Sequence, residues 1–174
     1  MNEVNYKQRL AALRTIVFDV DGVFTDNHVL LMPGIDPVRT FHTRDAYAVQ
    51  LALKEGLRIV VISGGRSQGV ADCFIRMGVK DLYLGVADKR ILLQQLIDNG
   101  LDTSTTAYMG DDVPDIRVMQ QVAFPCCPHD AVPEVKAISV YVSGKPGGQG
   151  CVRDLLEQVL KVQGGWMQEQ AFVW

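Results

Sequence analysis

The 174-residue chain has the length of one ordinary domain with its own apolar core. Hydrophobic residues make up 48% of it and charged residues 21%, a balance typical of a folded protein. Its net charge of -3 disfavours a polybasic protein that binds nucleic acid. The apolar runs are too short to span a bilayer and the N-terminus has no signal-peptide pattern, so we expect a cytoplasmic protein without a membrane partner.

Short β-prone segments alternate with segments of helical periodicity along the chain. We predict strands at 14–19, 58–62, 81–84, 105–109, 122–125 and 138–142. We predict helices at 46–54, 68–77, 87–98, 113–121 and 151–162. This alternation predicts an α/β fold, a Rossmann-like doubly wound parallel sheet with helices on both faces.

A segment at about 23–42 interrupts this alternation with β-prone residues around a turn-forming Pro-Gly-Ile-Asp-Pro sequence. It predicts a β-hairpin inserted after the first strand. An isolated two-stranded ribbon is only marginally stable, so the hairpin should pack on another surface, such as a second subunit. We therefore expect a single domain over residues 1–174, with this insert and a C-terminal tail at about 163–174.

Paired aspartates follow the first predicted strand, in the sequence FDVDG at residues 18–22. Asp19 and Asp21 are two residues apart, so their side chains project toward the same side. The carboxyl ends of strands are where ligands bind in an open α/β sheet. Two like charges this close require a bound cation or a shared proton.

A second acidic group follows the predicted strand at 105–109. Asp111 and Asp112 come directly after Gly110, and Asp115 lies three residues further on. If the two strands are neighbours, these carboxylates meet Asp19 and Asp21 in one crevice. Oxygen ligands of this type favour a hard cation, and Mg²⁺ is the expected one beside a phosphate.

Two further strand ends carry groups suited to a phosphate. Ser63 and Gly64 offer a hydroxyl and unobstructed backbone N–H groups, and Lys89 brings a positive charge. Each motif alone has a simpler explanation, as a turn, a helix start or a solvated lysine. Because complementary groups stand at four predicted strand ends in order, we favour a catalytic site for phosphoryl transfer.

These motifs resemble those of the haloacid dehalogenase superfamily of phosphatases. FDVDGVFTD is similar to its first motif, Ser63 to its second, Lys89 to its third and GDDVPD to its fourth. The chain has no room for the cap domain of many relatives, so it resembles the small capless branch. Within that branch it resembles the 3-deoxy-D-manno-octulosonate 8-phosphate phosphatase family, through RDAYAVQLAL, GVADK, YMGDDVPD and GGQGCVRD.

The resemblance implies an Mg²⁺-dependent phosphatase of a 3-deoxy-2-keto sugar acid phosphate. Asp19 would attack phosphorus and become an aspartyl-phosphate, and Asp21 would serve as acid and then base. The metal ion would be held by the Asp19 carboxylate, the Asp21 carbonyl and Asp111.

Other residues would support these groups. Asp112 and Asp115 would orient water ligands and Lys89, while Ser63, Gly64 and Lys89 would bind the phosphoryl group. The resemblance also implies a homotetramer, with each active site near a subunit interface.

One position departs from the family pattern. The octulosonate enzymes have an Arg after Ser/Thr-Gly and the related nonulosonate 9-phosphate phosphatases have a Glu, whereas this chain has Gly65 followed by Arg66. Arg66 is a candidate to bind the sugar carboxylate, or else an exposed residue at a helix start. The alternatives are therefore a nonulosonate 9-phosphate phosphatase or, in another class, a phosphoryl-accepting receiver module without turnover.

Overall fold

The computed structural model describes residues 6–173 of the chain. The strands are β1 (Thr15–Phe18), β2 (Leu30–Met32), β3 (Ile35–Val38), β4 (Arg58–Ser63), β5 (Asp81–Leu84), β6 (Thr106–Met109), β7 (Phe124–Cys127) and β8 (Tyr141–Val142). The α-helices are α1 (Tyr6–Ala12), α2 (Thr43–Lys54), α3 (Gln68–Met77), α4 (Lys89–Asp98), α5 (Ile116–Met119), α6 (Pro133–Ile138) and α7 (Cys151–Gln163). Among these helices none combines the length and hydropathy needed to cross a membrane.

One parallel sheet organises the molecule. Its six strands lie in the order β5-β4-β1-β6-β7-β8. The chain builds outward from β1 through β4 and β5, then returns to the other side of β1 for β6, β7 and β8. The carboxyl ends of β1 and β6 therefore flank the point where strand order reverses, which is where ligands bind in such sheets. The predicted doubly wound α/β fold is confirmed.

Apolar cores lie on both faces of the sheet. Phe18 packs in one core with residues of α2, α3 and α7, while the preceding Val17 packs in the other with residues of α4, α5 and α6. All four residues of β1 are buried, because a central strand of a doubly covered sheet is enclosed on both sides. The strand end that carries Asp19 is thus held rigidly from both faces.

Several element boundaries differ from those predicted. Helix α1 was not predicted, because it buries only Leu10 and otherwise has no apolar periodicity. The predicted strand 138–142 is shorter, since Pro133 starts a helix that continues to Ile138. The predicted strand 122–125 lies at Phe124–Cys127, where all four residues are buried. The predicted helix 113–121 divides into a short 3₁₀ turn followed by α5.

The inserted hairpin is present but smaller than predicted. Strands β2 and β3 pair antiparallel with each other and, among the described residues, with no strand of the main sheet. The hairpin was expected to begin at about residue 23, but residues 20–25 form a turn at the end of β1 in which Val23 and Phe24 are fully buried. The hairpin itself exposes apolar side chains: Leu30 is 59%, Leu31 71% and Ile35 56% accessible.

Candidate active site

The turn after β1 brings the first aspartate to the carboxyl edge of the sheet. The Asp19 backbone N–H donates to the Met109 carbonyl of β6, so the two strand ends are joined at this point. Gly22 follows in a left-handed conformation, with φ of +85°. A Cβ there would lie 2.0 Å from Oδ2 of Asp111, so only glycine allows the turn and this carboxylate to pack together.

Three buried carboxylates meet at this edge. Asp19, Asp111 and Asp115 each offer an oxygen atom, and these atoms lie within 4.8 Å of one another. Lys89, the first residue of α4, places its Nζ 2.8 Å from Oδ1 of Asp19 and 2.8 Å from Oδ1 of Asp115. The predicted convergence of separate strand ends is therefore observed for four residues from three loops.

The site carries more negative charge than its lysine balances. Burial, together with the neighbouring Asp115 carboxylate, raises the pKa of Asp19 to about 7. Burial raises the pKa of Asp111 to about 6. Burial opposes the charge of Lys89, but Asp19 and Asp115 outweigh it and raise the pKa of that ammonium. A hard divalent cation with oxygen ligands fits this surplus of buried carboxylates.

The contacts of Asp115 distinguish it from the other two carboxylates. Its Oδ1 accepts from Lys89 and from the Tyr108 hydroxyl, each at 2.8 Å. Its Oδ2 accepts from the backbone N–H groups of Asp111 and Asp112. Because donors already surround both oxygens, Asp115 is placed to hold Lys89 and the loop rather than a cation. Asp19 and Asp111 remain as the two carboxylates suited to a metal ion.

Two further polar residues, Asp112 and Asn27, lie beside these carboxylates. Asp112 is exposed, and its Oδ1 accepts from the Val113 N–H at the start of the 3₁₀ turn. Asn27 donates from Nδ2 to Oδ2 of Asp111 at 2.8 Å. Sequence reasoning missed Asn27, since an asparagine in a loop is an ordinary turn residue.

Asp21 makes an ion pair that was not predicted. Arg39, directly after β3, donates from Nε to Oδ1 of Asp21 at 2.7 Å and from Nη2 to Oδ2 at 3.0 Å. The only sequence signal for Arg39 is a basic residue at the base of the hairpin. The hairpin therefore reaches the active site of its own chain.

The phosphate-binding candidates lie at the end of β4. Ser63 is buried, and its Oγ accepts from the Gly65 N–H at 3.1 Å. Arg66 is exposed, and its side chain lies over Gly85, where a Cβ would stand 2.1 Å from its Nε. A cavity of 560 Å³ is lined by every other predicted site residue and not by Arg66: Asp19, Asp21, Ser63, Gly64, Lys89, Asp111, Asp112 and Asp115.

Comparison with known proteins found relatives that cover most of the chain. The 3-deoxy-D-manno-octulosonate 8-phosphate phosphatase of Escherichia coli K12 is 30% identical over 153 residues, which is 87% of this chain and 81% of the relative. No protein-family model matches the chain.

Solved structures of enzymes with the same name have the same fold. The phosphatase from Moraxella catarrhalis, in complex with magnesium, phosphate and KDO, is 28% identical with a TM-score of 0.89, over 95% of each chain. The phosphatase from Yersinia pestis is 29% identical with a TM-score of 0.88, over 91% of this chain and 86% of that one.

Proposed function

The chain belongs to the 3-deoxy-D-manno-octulosonate 8-phosphate phosphatase family, a capless branch of the haloacid dehalogenase superfamily, and on this premise we propose how its residues act. It hydrolyses the 8-phosphate ester of this sugar acid to the free sugar acid and phosphate, and it requires Mg²⁺. The observation that carries the proposal is the convergence of Asp19, Asp111 and Lys89 on one cavity at the reversal point of the sheet.

Mg²⁺ would be held by the carboxylates of Asp19 and Asp111 and by the backbone carbonyl of Asp21. Buried carboxylate oxygens with raised pKa values fit such an ion, because a cation stabilises their charged forms. When bound, the ion neutralises part of the negative charge on the phosphoryl group.

The first chemical step forms a bond between an Asp19 carboxylate oxygen and phosphorus while the ester P–O bond breaks. Asp21 gives its proton to the leaving sugar oxygen. Lys89 and the Ser63 hydroxyl donate to the phosphoryl oxygens, and Asp115 keeps Lys89 in place.

In the second step a water molecule attacks the acyl-phosphate. Asp21, now a carboxylate, takes a proton from that water, and phosphate leaves as the Asp19 carboxylate is restored. The two hydrogen bonds from Arg39 fix the position of the Asp21 carboxylate for this step.

Phosphate release from 3-deoxy-D-manno-octulosonate 8-phosphate, with Mg²⁺ and with excess EDTA, tests the function. We expect turnover only with the metal, and we expect Asp19→Asn to lose at least about 10⁴-fold in kcat. Asp26→Asn is the matched control, since Asp26 belongs to the same loop and its carboxylate contacts His28 of its own turn, through the backbone N–H and the ring. Wild-type rates in Asp19→Asn would refute the nucleophile.

The alternative substrates are tested in the same assay. A nonulosonate 9-phosphate differs in the length of the sugar acid, so a higher kcat/KM for it would change the substrate but not the chemistry. The receiver alternative is not favoured, because the named relatives are phosphatases. Accumulation of phosphoprotein without turnover is the result that would revive it.

We also propose that residues 1–174 form one phosphatase domain in a cytoplasmic homotetramer. The six-stranded sheet with an apolar core on each face supports the single domain. The exposed apolar hairpin supports assembly, because such a ribbon needs a partner surface.

A further inference from the structure

Position 65 is where this chain departs from the octulosonate pattern, and a different arginine occupies the adjacent space. A Cβ built on Gly65 would lie 3.3 Å from Nη2 of Arg39 and 3.4 Å from Oδ2 of Asp21. A side chain at position 65 would therefore begin in close contact with this ion pair. A side chain at position 65, which Gly65 lacks, and the guanidinium of Arg39 would therefore occupy the same region of the site.

The hydrogen bonds of Arg39 leave donors to spare. Nε and Nη2 each donate to Asp21, and Nη1 donates to the Pro37 carbonyl at 3.1 Å. A guanidinium has five N–H groups, so one on each terminal nitrogen has no acceptor among the described residues. The Arg39 side chain as a whole is 10% exposed. Such a group suits a second anion.

Arg39 stands between the active-site cavity and a neighbouring groove. Asp21 and Gly65 line the cavity. Arg39 lines a groove of 350 Å³ together with Ser67 and Cys73. If the phosphate lies at Asp19 and the leaving oxygen faces Asp21, the sugar acid lies on the Asp21 side of the cavity, which is the side on which Arg39 pairs with Asp21. Arg66 is directed elsewhere, over Gly85.

We infer that Arg39 binds the substrate carboxylate and so replaces the arginine that other octulosonate phosphatases have at position 65. One guanidinium bridges two carboxylates, those of Asp21 and the sugar acid, through different edges of its planar fork. The inference rests on the proposed function, since it requires a sugar acid as substrate. It makes the base of the hairpin a specificity-determining part of the site.

A thermodynamic cycle isolates this contact from the effect of Arg39 on Asp21. The two substrates are 3-deoxy-D-manno-octulosonate 8-phosphate and its carboxyl methyl ester, in which the carboxylate charge is removed and one oxygen carries a methyl group. For wild-type enzyme we expect esterification to lower kcat/KM about 10- to 100-fold, mainly through KM. For Arg39→Gln we expect esterification to lower kcat/KM by less than about threefold. Effects transmitted through Asp21 act on both substrates and cancel in the ratio.

Each other outcome is decisive. An equal ester effect in wild type and Arg39→Gln would overturn the inference, as would a wild type that does not distinguish the two substrates. Arg66→Gln is the matched control, and its ratio of kcat/KM for the acid to kcat/KM for the ester should equal that of the wild type. If Arg66→Gln loses this preference for the acid and Arg39→Gln keeps it, Arg66 is the residue that binds the substrate carboxylate. If Arg39→Gln does not fold, Arg39→Lys replaces it, since a lysine keeps the charge beside Asp21 without the planar fork.

The inference and the proposed function fail differently. Absence of turnover of the octulosonate phosphate by wild-type enzyme would refute the function itself. Turnover with an unchanged ester ratio in Arg39→Gln would refute only the role of Arg39.

Discussion

The carboxyl edge of the sheet and the β2–β3 hairpin show opposite physical organisation within one chain. At the sheet edge, charged side chains are buried, and both oxygens of Asp115 accept hydrogen bonds from donors within the chain. In the hairpin, apolar side chains such as Leu31 face solvent and no strand of the described sheet pairs with it.

The comparison distinguishes a site whose geometry one chain forms by itself from a surface that needs another partner to cover it. The acidic site is held by strand ends of the central sheet, so its geometry is set within the subunit. The hairpin exposes its apolar side chains, and its contacts with the rest of the described chain include the Arg39–Asp21 ion pair and a hydrogen bond from the Gln68 N–H to Asp36. The predictions below perturb first the densely bonded edge and last the hairpin.

Among the variants that test this comparison, the largest loss of stability is expected for Asp115→Ala. The change leaves the Tyr108 hydroxyl and two backbone N–H groups without their acceptor, and it removes one of the two carboxylates that hold Lys89. We expect a loss of about 3 kcal/mol in the free energy of unfolding, with relief of repulsion on Asp19 offsetting part of the cost. We expect kcat to fall at least about 100-fold.

Urea unfolding and phosphate release measure the two effects of Asp115→Ala. All the partners of Asp115 are hydrogen-bond donors. In Asp115→Asn the side-chain NH₂ group would face some of these donors, so this variant should not recover wild-type stability or activity. Full activity in either variant would contradict the role of Asp115.

Gly147→Ala tests how closely the loop before α7 packs on the active-site turn. A Cβ there would lie 2.1 Å from the Gly22 carbonyl oxygen, so the turn that carries Asp21 must move. We expect a loss of about 2 kcal/mol in stability and a lower kcat. Gly144→Ala is the control within the same loop: its Cβ would meet nothing within 4 Å, and wild-type behaviour is expected. Equal thermal unfolding midpoints for the two variants would contradict this packing.

Tyr108→Phe removes a single hydrogen bond beneath the site. Tyr108 is fully buried and donates to Oδ1 of Asp115, which keeps Lys89 as a partner on the same oxygen. We expect about 1 kcal/mol of destabilisation and less than a tenfold loss in kcat, measured by urea unfolding and phosphate release. A loss as large as that of Asp115→Ala would mean that Tyr108, not Asp115, positions Lys89.

Leu31→Glu should affect the stability of a dissociated chain least and the assembly most. Leu31 is 71% exposed, so its substitution should change the unfolding free energy by no more than about 0.5 kcal/mol. A charge on the hairpin should nevertheless reduce the oligomer size seen by sedimentation velocity. Ile75→Glu, at a 62% exposed position of α3, is the control and should keep the wild-type size. An unchanged oligomer in Leu31→Glu would exclude the hairpin as the interface.

Local pattern was enough to predict the class of fold and most of the acidic site. Strand-sized apolar runs that alternate with helical periodicity specify a parallel sheet, and Asp19, Asp21, Asp111 and Asp115 follow two of those runs directly. The predicted element boundaries were wrong where the apolar periodicity was weak. Helix α1 buries one residue, and an α-helix that begins at Pro133 replaces part of the predicted last strand.

Contacts between distant segments needed the folded chain. The sequence by itself determined which groups stand at the strand ends, because connectivity and side-chain alternation are local properties. Only the tertiary structure decided that Arg39 pairs with Asp21, that its guanidinium fills the space beside Gly65 and that Arg66 lies over Gly85. These contacts depend on how the hairpin returns to the sheet, and no periodicity within the hairpin encodes that direction.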